Sequence, residues 1–203
     1  MKNYLCSALI LLAMVSCDSK KEAVKTSYKT PDMKLASDVM TPEVLWSFGR
    51  IGSVSVSPDQ KTLLYDVTYF NKEEDRSYSD IYVMNLADGK SQQLTDTDYK
   101  EFGETWTSDG KIAFMSSKSG SVQLWEMNAD GSGLTQLTNV EGGIGGFIFS
   151  PDKSKLLFLK DVKLEQDVHD LHPDLPKANA RLIDGQVYRH WNDWVEAYTH
   201  PFV

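Results

Sequence analysis

Cysteine is the first thing this sequence has too little of: the two it contains, Cys6 and Cys17, both fall in the first 17 of 203 residues. A chain freed of that segment can form no internal disulfide, even in an oxidising compartment, so its stability has to come from packing. A basic excess is missing too. Lys and Arg number 21 against 29 Asp and Glu, a net charge of −8, which argues against a nucleic-acid partner. No apolar run reaches the length of a membrane span. The longest candidate, Leu5 to Val15, is too short. No serine stands in a Gly-x-Ser-x-Gly elbow, and no Ser, Asp and His follow in the order such an elbow needs, so the chain carries no nucleophile of that type. The glycines at 142, 143, 145 and 146 lack a following Lys-Ser/Thr and lead into a strand pattern. That excludes a phosphate cradle and points to close backbone approach.

What is present begins with a leader. Lys2 gives a positive start, the apolar run follows, and Met14-Val15-Ser16-Cys17 closes it, the pattern of an export signal. The closing residues resemble a bacterial lipobox with Cys17 as the lipidated residue. An ordinary leader with an incidental cysteine is the other reading. Residues 18–40 are polar and charged and suit a flexible tether. Thr41-Pro42-Glu43 predicts a helix start, with Val44, Leu45 and Phe48 on one face. That helix either packs against the first repeat or plugs one end of the fold.

The rest repeats two phrases. Ser57-Pro58-Asp59-Gln60-Lys61 before Leu63-Leu64-Tyr65 returns as Ser150-Pro151-Asp152-Lys153 before Leu156-Leu157-Phe158, with a worn copy at Ser108-Asp109-Gly110-Lys111 before Ile112-Ala113-Phe114. Each is a tight turn between short runs rich in β-branched and aromatic residues, hence a hairpin. The second phrase, Asp80 to Asn85 with Ala87-Asp88-Gly89 and Leu94-Thr95, returns from Gln123 to Thr138; Asn128 follows Asn85, and Thr138 follows Thr95, at the same interval of 43 residues. Two hairpins in 40 to 45 residues make a propeller blade. The predicted fold is all-β, a partial WD40/TolB-like propeller of about two and a half blades over 41–203, divided at 41–96, 97–139 and 140–203. Its first blade takes strands from Ser53, Thr62, Asp80 and Gln92, its second from Glu104, Lys111, Val122 and Thr135, and its third from Gly146 and Lys155. Thr199 to Val203 then sits where Asp80 to Val83 sat, so the sequence is expected to stop inside a strand.

Alternating loops place the charged stretch Asn71 to Ser79, the glycine connection and the long insertion Asp161 to Tyr198 at one end of the blades. Long loops on a rigid scaffold are where function concentrates. His169 and His172 beside Asp167, Asp170 and Asp174 have metal-ligand chemistry only on a helix. Pro173 and Pro176 argue for a solvated acidic loop instead, and no metal or other cofactor is expected. Tyr188, His190, Trp191, Trp194 and Tyr198 either line a substrate surface or fold the insertion back on the blades.

Thr41-Pro42-Glu43, Ala113-Phe114-Met115-Ser116, Leu124 to Gly131, and above all Tyr188-Arg189-His190-Trp191 ahead of His200-Pro201-Phe202 resemble the amino-terminal propeller of bacterial dipeptide-releasing enzymes of the prolyl oligopeptidase (S9) family. The resemblance spans about Thr41 to Val203. It implies a C-terminal α/β-hydrolase domain carrying the Ser-Asp-His triad, peptide substrates, no cofactor, and a propeller that helps to hold the substrate's free amine. Glu196 is the candidate amine anchor, with Asp193 in reserve and Trp191 and Tyr188 as neighbouring walls. No catalytic residue is assigned to this chain. The expected setting is the periplasm or cell envelope, with a membrane held through Cys17. The alternative is a non-catalytic TolB-like propeller lipoprotein that binds envelope proteins.

Overall fold

The computed structural model describes residues 37–203 apart from 184, 186–188, 190 and 193. The leader with Cys17, and most of the 18–40 tether, lie outside the described residues. Among those described, no helix is long and apolar enough to cross a membrane. The chain forms three antiparallel sheets in sequence order. The first is β1 (Arg50–Val56), β2 (Thr62–Asn71), β3 (Arg76–Asn85) and β4 (Ser91–Gln93). The second is β5 (Glu101–Trp106), β6 (Ile112–Ser116), β7 (Gln123–Met127) and β8 (Thr135–Gln136). The third holds β9 (Gly146–Phe149), β10 (Leu156–Lys163) and β11 (Ala197–Phe202). Each is a meander in which neighbours in sequence are neighbours in space, the architecture of propeller blades.

The repeated turns close by the same local chemistry. Ser57 Oγ donates to Asp59 Oδ1, Thr107 Oγ1 to Asp109 Oδ1 and Ser150 Oγ to Asp152 Oδ1, each at 2.6 Å. Next in each turn comes a residue at positive φ, Gln60 at 58°, Gly110 at 78° and Lys153 at 57°. Only Gly110 adopts it without a Cβ penalty. Lys153 accepts that penalty where its side chain also ties two sheets together. Its ammonium donates to Asp109 Oδ1 at 2.7 Å and to Glu126, which Lys111 holds from the other side at 2.7 Å. The neighbouring Lys153 ammonium holds the Asp109 carboxyl down to about 2.

The second sheet is the middle layer, and all five residues of β6 are buried. Ile112 and Phe114, with Met127, meet Leu64 and Ile81 of the first sheet. Ala113 and Met115, with Leu124 and Ile144, face Phe147, Phe149 and Phe158 of the third. Burying a side chain such as Phe114 contributes about 2–3 kcal/mol. Gly143, at φ 88°, lets the connecting loop reach β7's approach, since a Cβ there would lie 2.8 Å from the Val122 carbonyl oxygen. This is the close approach its sequence implied.

Several boundaries differ from the sequence reading. The charged stretch Asn71 to Ser79 is mostly ladder: β2 and β3 pair from Thr62↔Asn85 out to Asn71↔Arg76. Only Lys72 to Asp75 turn, and Asn71 Oδ1 holds that turn by accepting from the Glu73 and Glu74 amides at 3.0 and 3.2 Å. The first helix, α1 (Pro42–Ser47), is capped by Thr41 as its sequence implies. Of the expected face, Val44 is half-buried while Leu45 and Phe48 are exposed, and Trp46, itself 41% exposed, stands edge-on to Phe70 at 5.3 Å. It therefore lies against the first blade. The expected acidic loop around His169 contains a helical turn, α2 (Val168–Leu171).

Candidate functional site

β10 and β11 run on beyond their blade as a two-stranded arm. Asp161 Oδ1 accepts from Thr199 Oγ1 at 2.5 Å, and the Leu164 amide donates to the Glu196 carbonyl at 3.0 Å. The described residues between 165 and 195 are carried at the tip of that arm. They start with α2, whose N-cap Asp167 accepts from the His169 and Asp170 amides at 2.8 and 3.1 Å, while the Asp170 carboxylate accepts from the Asp167 amide at 2.9 Å. This reciprocal capping box forms a turn of helix where the prolines forbid a longer one. The His172 amide closes it on the Val168 carbonyl at 2.8 Å, just before Pro173. Lys163 Nζ lies 2.7 Å from Asp167 and also pairs with Asp170. The Lys163 hydrogen bond, followed by backbone N–H groups, holds Asp167 down to about 2. Asp167 and Asp170, beside His169, are thus occupied by capping and by Lys163. Among the described residues no three metal-ligating side chains converge.

Between this turn and the returning chain lies a cleft of about 390 Å³. Leu164, Leu182 and Val195 supply apolar wall, the buried Val168 its floor, and Arg181 and Glu196 its charged rim. Glu196 accepts a hydrogen bond from Arg181 Nη1. The Arg181 guanidinium lies 4.8 Å from the Trp194 ring centre, and Arg189 lies 5.0 Å from the same ring. Of the expected walls, Trp191 is 91% exposed with φ 58° and is not among the residues lining the cleft. Tyr188 and Asp193 lie outside the described residues, as does His190. The structure thus brings Glu196 together with Arg181 and Trp194 rather than with Trp191. Sequence reasoning passed over Arg181. Nothing in the sequence set it apart from Lys163, Lys177 and Arg189, the other basic residues of that insertion. A carboxylate gripped on one oxygen by a guanidinium keeps its other oxygen for a second cation.

A larger hollow, about 720 Å³, opens at the corresponding end of the first two sheets, among Trp46, Phe70, Arg76, Tyr99 and Lys100. Arg50 spans two of its rings, 5.0 Å from Trp46 and 4.4 Å from Phe70. Its parts come from α1, the β2–β3 hairpin and the link into β5, so no single stretch of sequence announced it.

No protein-family model matches the chain. Among curated proteins it is 44% identical over 165 residues to dipeptidyl-peptidase 5 of Porphyromonas gingivalis, covering 81% of this chain and 24% of that protein. It is 34% identical over 197 residues to dipeptidyl-peptidase 5 of Porphyromonas endodontalis, covering 96% of this chain and 28% of that protein. The chain spans about a quarter of the length of these relatives. Among solved structures, an acylaminoacyl peptidase bound to Z-Gly-Gly-Phe-chloromethyl ketone superposes with a TM-score of 0.50 at 20% identity, over 61% of this chain and 20% of that one. That likeness speaks to the fold alone. With three meandering sheets in series and these relatives, the chain belongs to the prolyl oligopeptidase (S9) family and corresponds to a propeller part of its dipeptidyl-peptidase 5 members.

Proposed function

We propose that this chain is the propeller portion of an exported serine dipeptidyl peptidase that releases dipeptides from peptide amino termini. The 44% identity to a dipeptidyl-peptidase 5 over 165 residues carries the reading. The triad belongs to a hydrolase domain beyond these residues, since no elbow serine occurs in this sequence. The role of the propeller is recognition. An enzyme that measures two residues from a free amine needs a carboxylate held where water is partly excluded, because a charge pair strengthens as the dielectric falls. Glu196 is that carboxylate in this reading, fixed by Arg181 on one oxygen and offering the other to the substrate ammonium; its side chain is 64% exposed, so the exclusion of water is assigned to the bound peptide and the hydrolase domain. Trp191 and Tyr188 are proposed as neighbouring walls of that site. Export through residues 1–17 and attachment to the membrane through a lipidated Cys17 complete the proposal.

In the full-length enzyme carrying this sequence, Glu196→Gln should raise KM for free-amine dipeptidyl substrates about tenfold, the worth of one charge-assisted hydrogen bond. An amino-blocked substrate should change little. Equal effects on both substrates would remove Glu196 from the site, and absence of serine-inhibitor-sensitive dipeptide release by the wild type would remove the activity itself. Cys17→Ser should release the protein from the membrane fraction. Unchanged fractionation would refute the anchor.

A further inference from the structure

The first two sheets meet through two acids and one hydroxyl. Asp66 on β2 and Glu104 on β5 are each only 4% exposed. Ser53 Oγ on β1 stands between them, 2.7 Å from Glu104 Oε1 and 3.2 Å from Asp66 Oδ1, and the Ser53 amide also donates to Asp66 Oδ1 at 2.8 Å. A serine hydroxyl has one hydrogen and can donate to only one carboxylate at a time. Glu104 Oε2 is buried with no hydrogen-bond partner. Two ionised carboxylates here would bury two negative charges against one O–H and one N–H, a costly arrangement without a cation.

No cation is at hand among the described residues. On β1, Arg50 lies over Trp46 and Phe70. On β3, Arg76 lies over Tyr78 and donates to the Asp98 carbonyl at 3.5 Å. Asp80 of β3 is taken up by Thr95 and the Thr97 amide. Tyr65 of β2 and Tyr82 of β3 stack on each other, and Tyr69 of β2 lies against Gly49. Glu101, on the same strand as Glu104, is another buried acid, and β6 carries no ionisable group.

We propose that Asp66 and Glu104 hold one proton between them across the joint of the first two blades, a clasp that is closed while the proton is held and loosened when it is lost. The step is a plain protonation. A solvent proton adds to a Glu104 carboxylate oxygen, and the resulting O–H donates to the Asp66 carboxylate, so one negative charge remains where there were two. Burial first, and then the neighbouring Asp66, push Glu104 up to about 7, against the hydrogen bond from Ser53. A folded-state value raised above the unfolded one means a penalty that is complete above about pH 7 and fades as pH falls toward 4.5. The clasp therefore tightens in mild acid.

Hydrogen–deuterium exchange of the full-length protein, read on peptides covering 50–56 and 101–106 and corrected for intrinsic exchange, tests this at pH 6 and pH 8. The wild type should open roughly tenfold more at pH 8 in both segments, the worth of about one pKa unit. Glu104→Gln, which keeps the shape but cannot ionise, should erase that step, and Asp66→Asn, which removes the smaller cause and leaves burial in place, should shrink it. Burial also pushes Glu101, a buried acid outside the pair, up to about 7, so each comparison is made in a Glu101→Gln background, where the step should remain. A step undiminished in both Glu104→Gln and Asp66→Asn would overturn the proposal. So would one that disappears in Glu101→Gln alone, or a wild type with no step.

Discussion

One position, seen twice, shows what a single charge does in this fold. In the first blade the Ile81 amide donates to Thr95 Oγ1 at 2.9 Å, and Asp80 Oδ1 accepts from Thr95 Oγ1 at 3.3 Å and from the Thr97 amide at 3.2 Å. The second blade builds the same clasp 43 residues later. Leu124 donates to Thr138 Oγ1 at 2.9 Å, and Gln123 Oε1 accepts from Thr138 Oγ1 at 2.8 Å and the Val140 amide at 3.0 Å. A neutral amide does in one blade what a carboxylate does in the other. Burial pushes Asp80 up to about 6, against hydrogen bonds that favour its charged form. Its folded-state value exceeds the unfolded one, so ionised Asp80 weakens the fold above about pH 6 and that penalty fades toward pH 4. Asp80→Asn should therefore stabilise the protein at pH 8 by about 1–2 kcal/mol, after discounting for solvent screening, and by almost nothing at pH 4. Thermal unfolding at the two pH values checks it, and equal shifts at both would refute it. The interval of 43 was readable in the sequence because these bonds recur with the blade repeat. The Arg181–Glu196 pair was not. Its partners are 15 residues apart in a stretch with no period to set their relation.

At the scale of elements, the sequence revealed which strands exist better than where they begin. The innermost strands β1 and β5 start at Arg50 and Glu101, not at Ser53 and Glu104. Both contain a bulge, between Ile51 and Val54 and between Phe102 and Thr105, that breaks the alternation of faces on which a strand is recognised. The β2–β3 hairpin was read short for another reason. Its charged tip conceals a ladder whose evidence is cross-strand, such as Thr68 Oγ1 against Ser79 Oγ at 2.5 Å. By contrast β6 announced itself as a continuous apolar run, which a strand needs when buried on both faces. Phe114→Ala in that strand should cost about 3–5 kcal/mol, because the cavity opens between two packed sheets that cannot collapse into it. Ile148→Ala, at a position 67% exposed on β9, should cost well under about 1 kcal/mol. Denaturant midpoints of the two variants give the comparison, and similar losses would mean that the second sheet is not the central layer.

For the whole molecule, packing is one-sided at both ends of the series. The second sheet is covered by the first and the third, but Ile51 and Val54 on β1 and Ile148 on β9 remain 66%, 57% and 67% exposed. Among the described residues, β4 and β8 also run as single-sided edges of their sheets. Exposed apolar faces beside open edges are templates for association. The isolated 203-residue chain should therefore self-associate at micromolar concentration. Its net charge of −8 opposes this by mutual repulsion. Salt screens that repulsion but leaves apolar burial intact, so the association should strengthen between about 0.01 M and 0.15 M ionic strength, as the Debye length falls from about 30 to 8 Å. An assembly held by surface ion pairs would instead weaken over the same range. Ile148→Glu places a like charge on the exposed face and should shift the distribution toward smaller species. Sedimentation velocity across concentration and salt distinguishes these outcomes, and a monodisperse monomer with one cooperative melt would show that the exposed faces do not drive association.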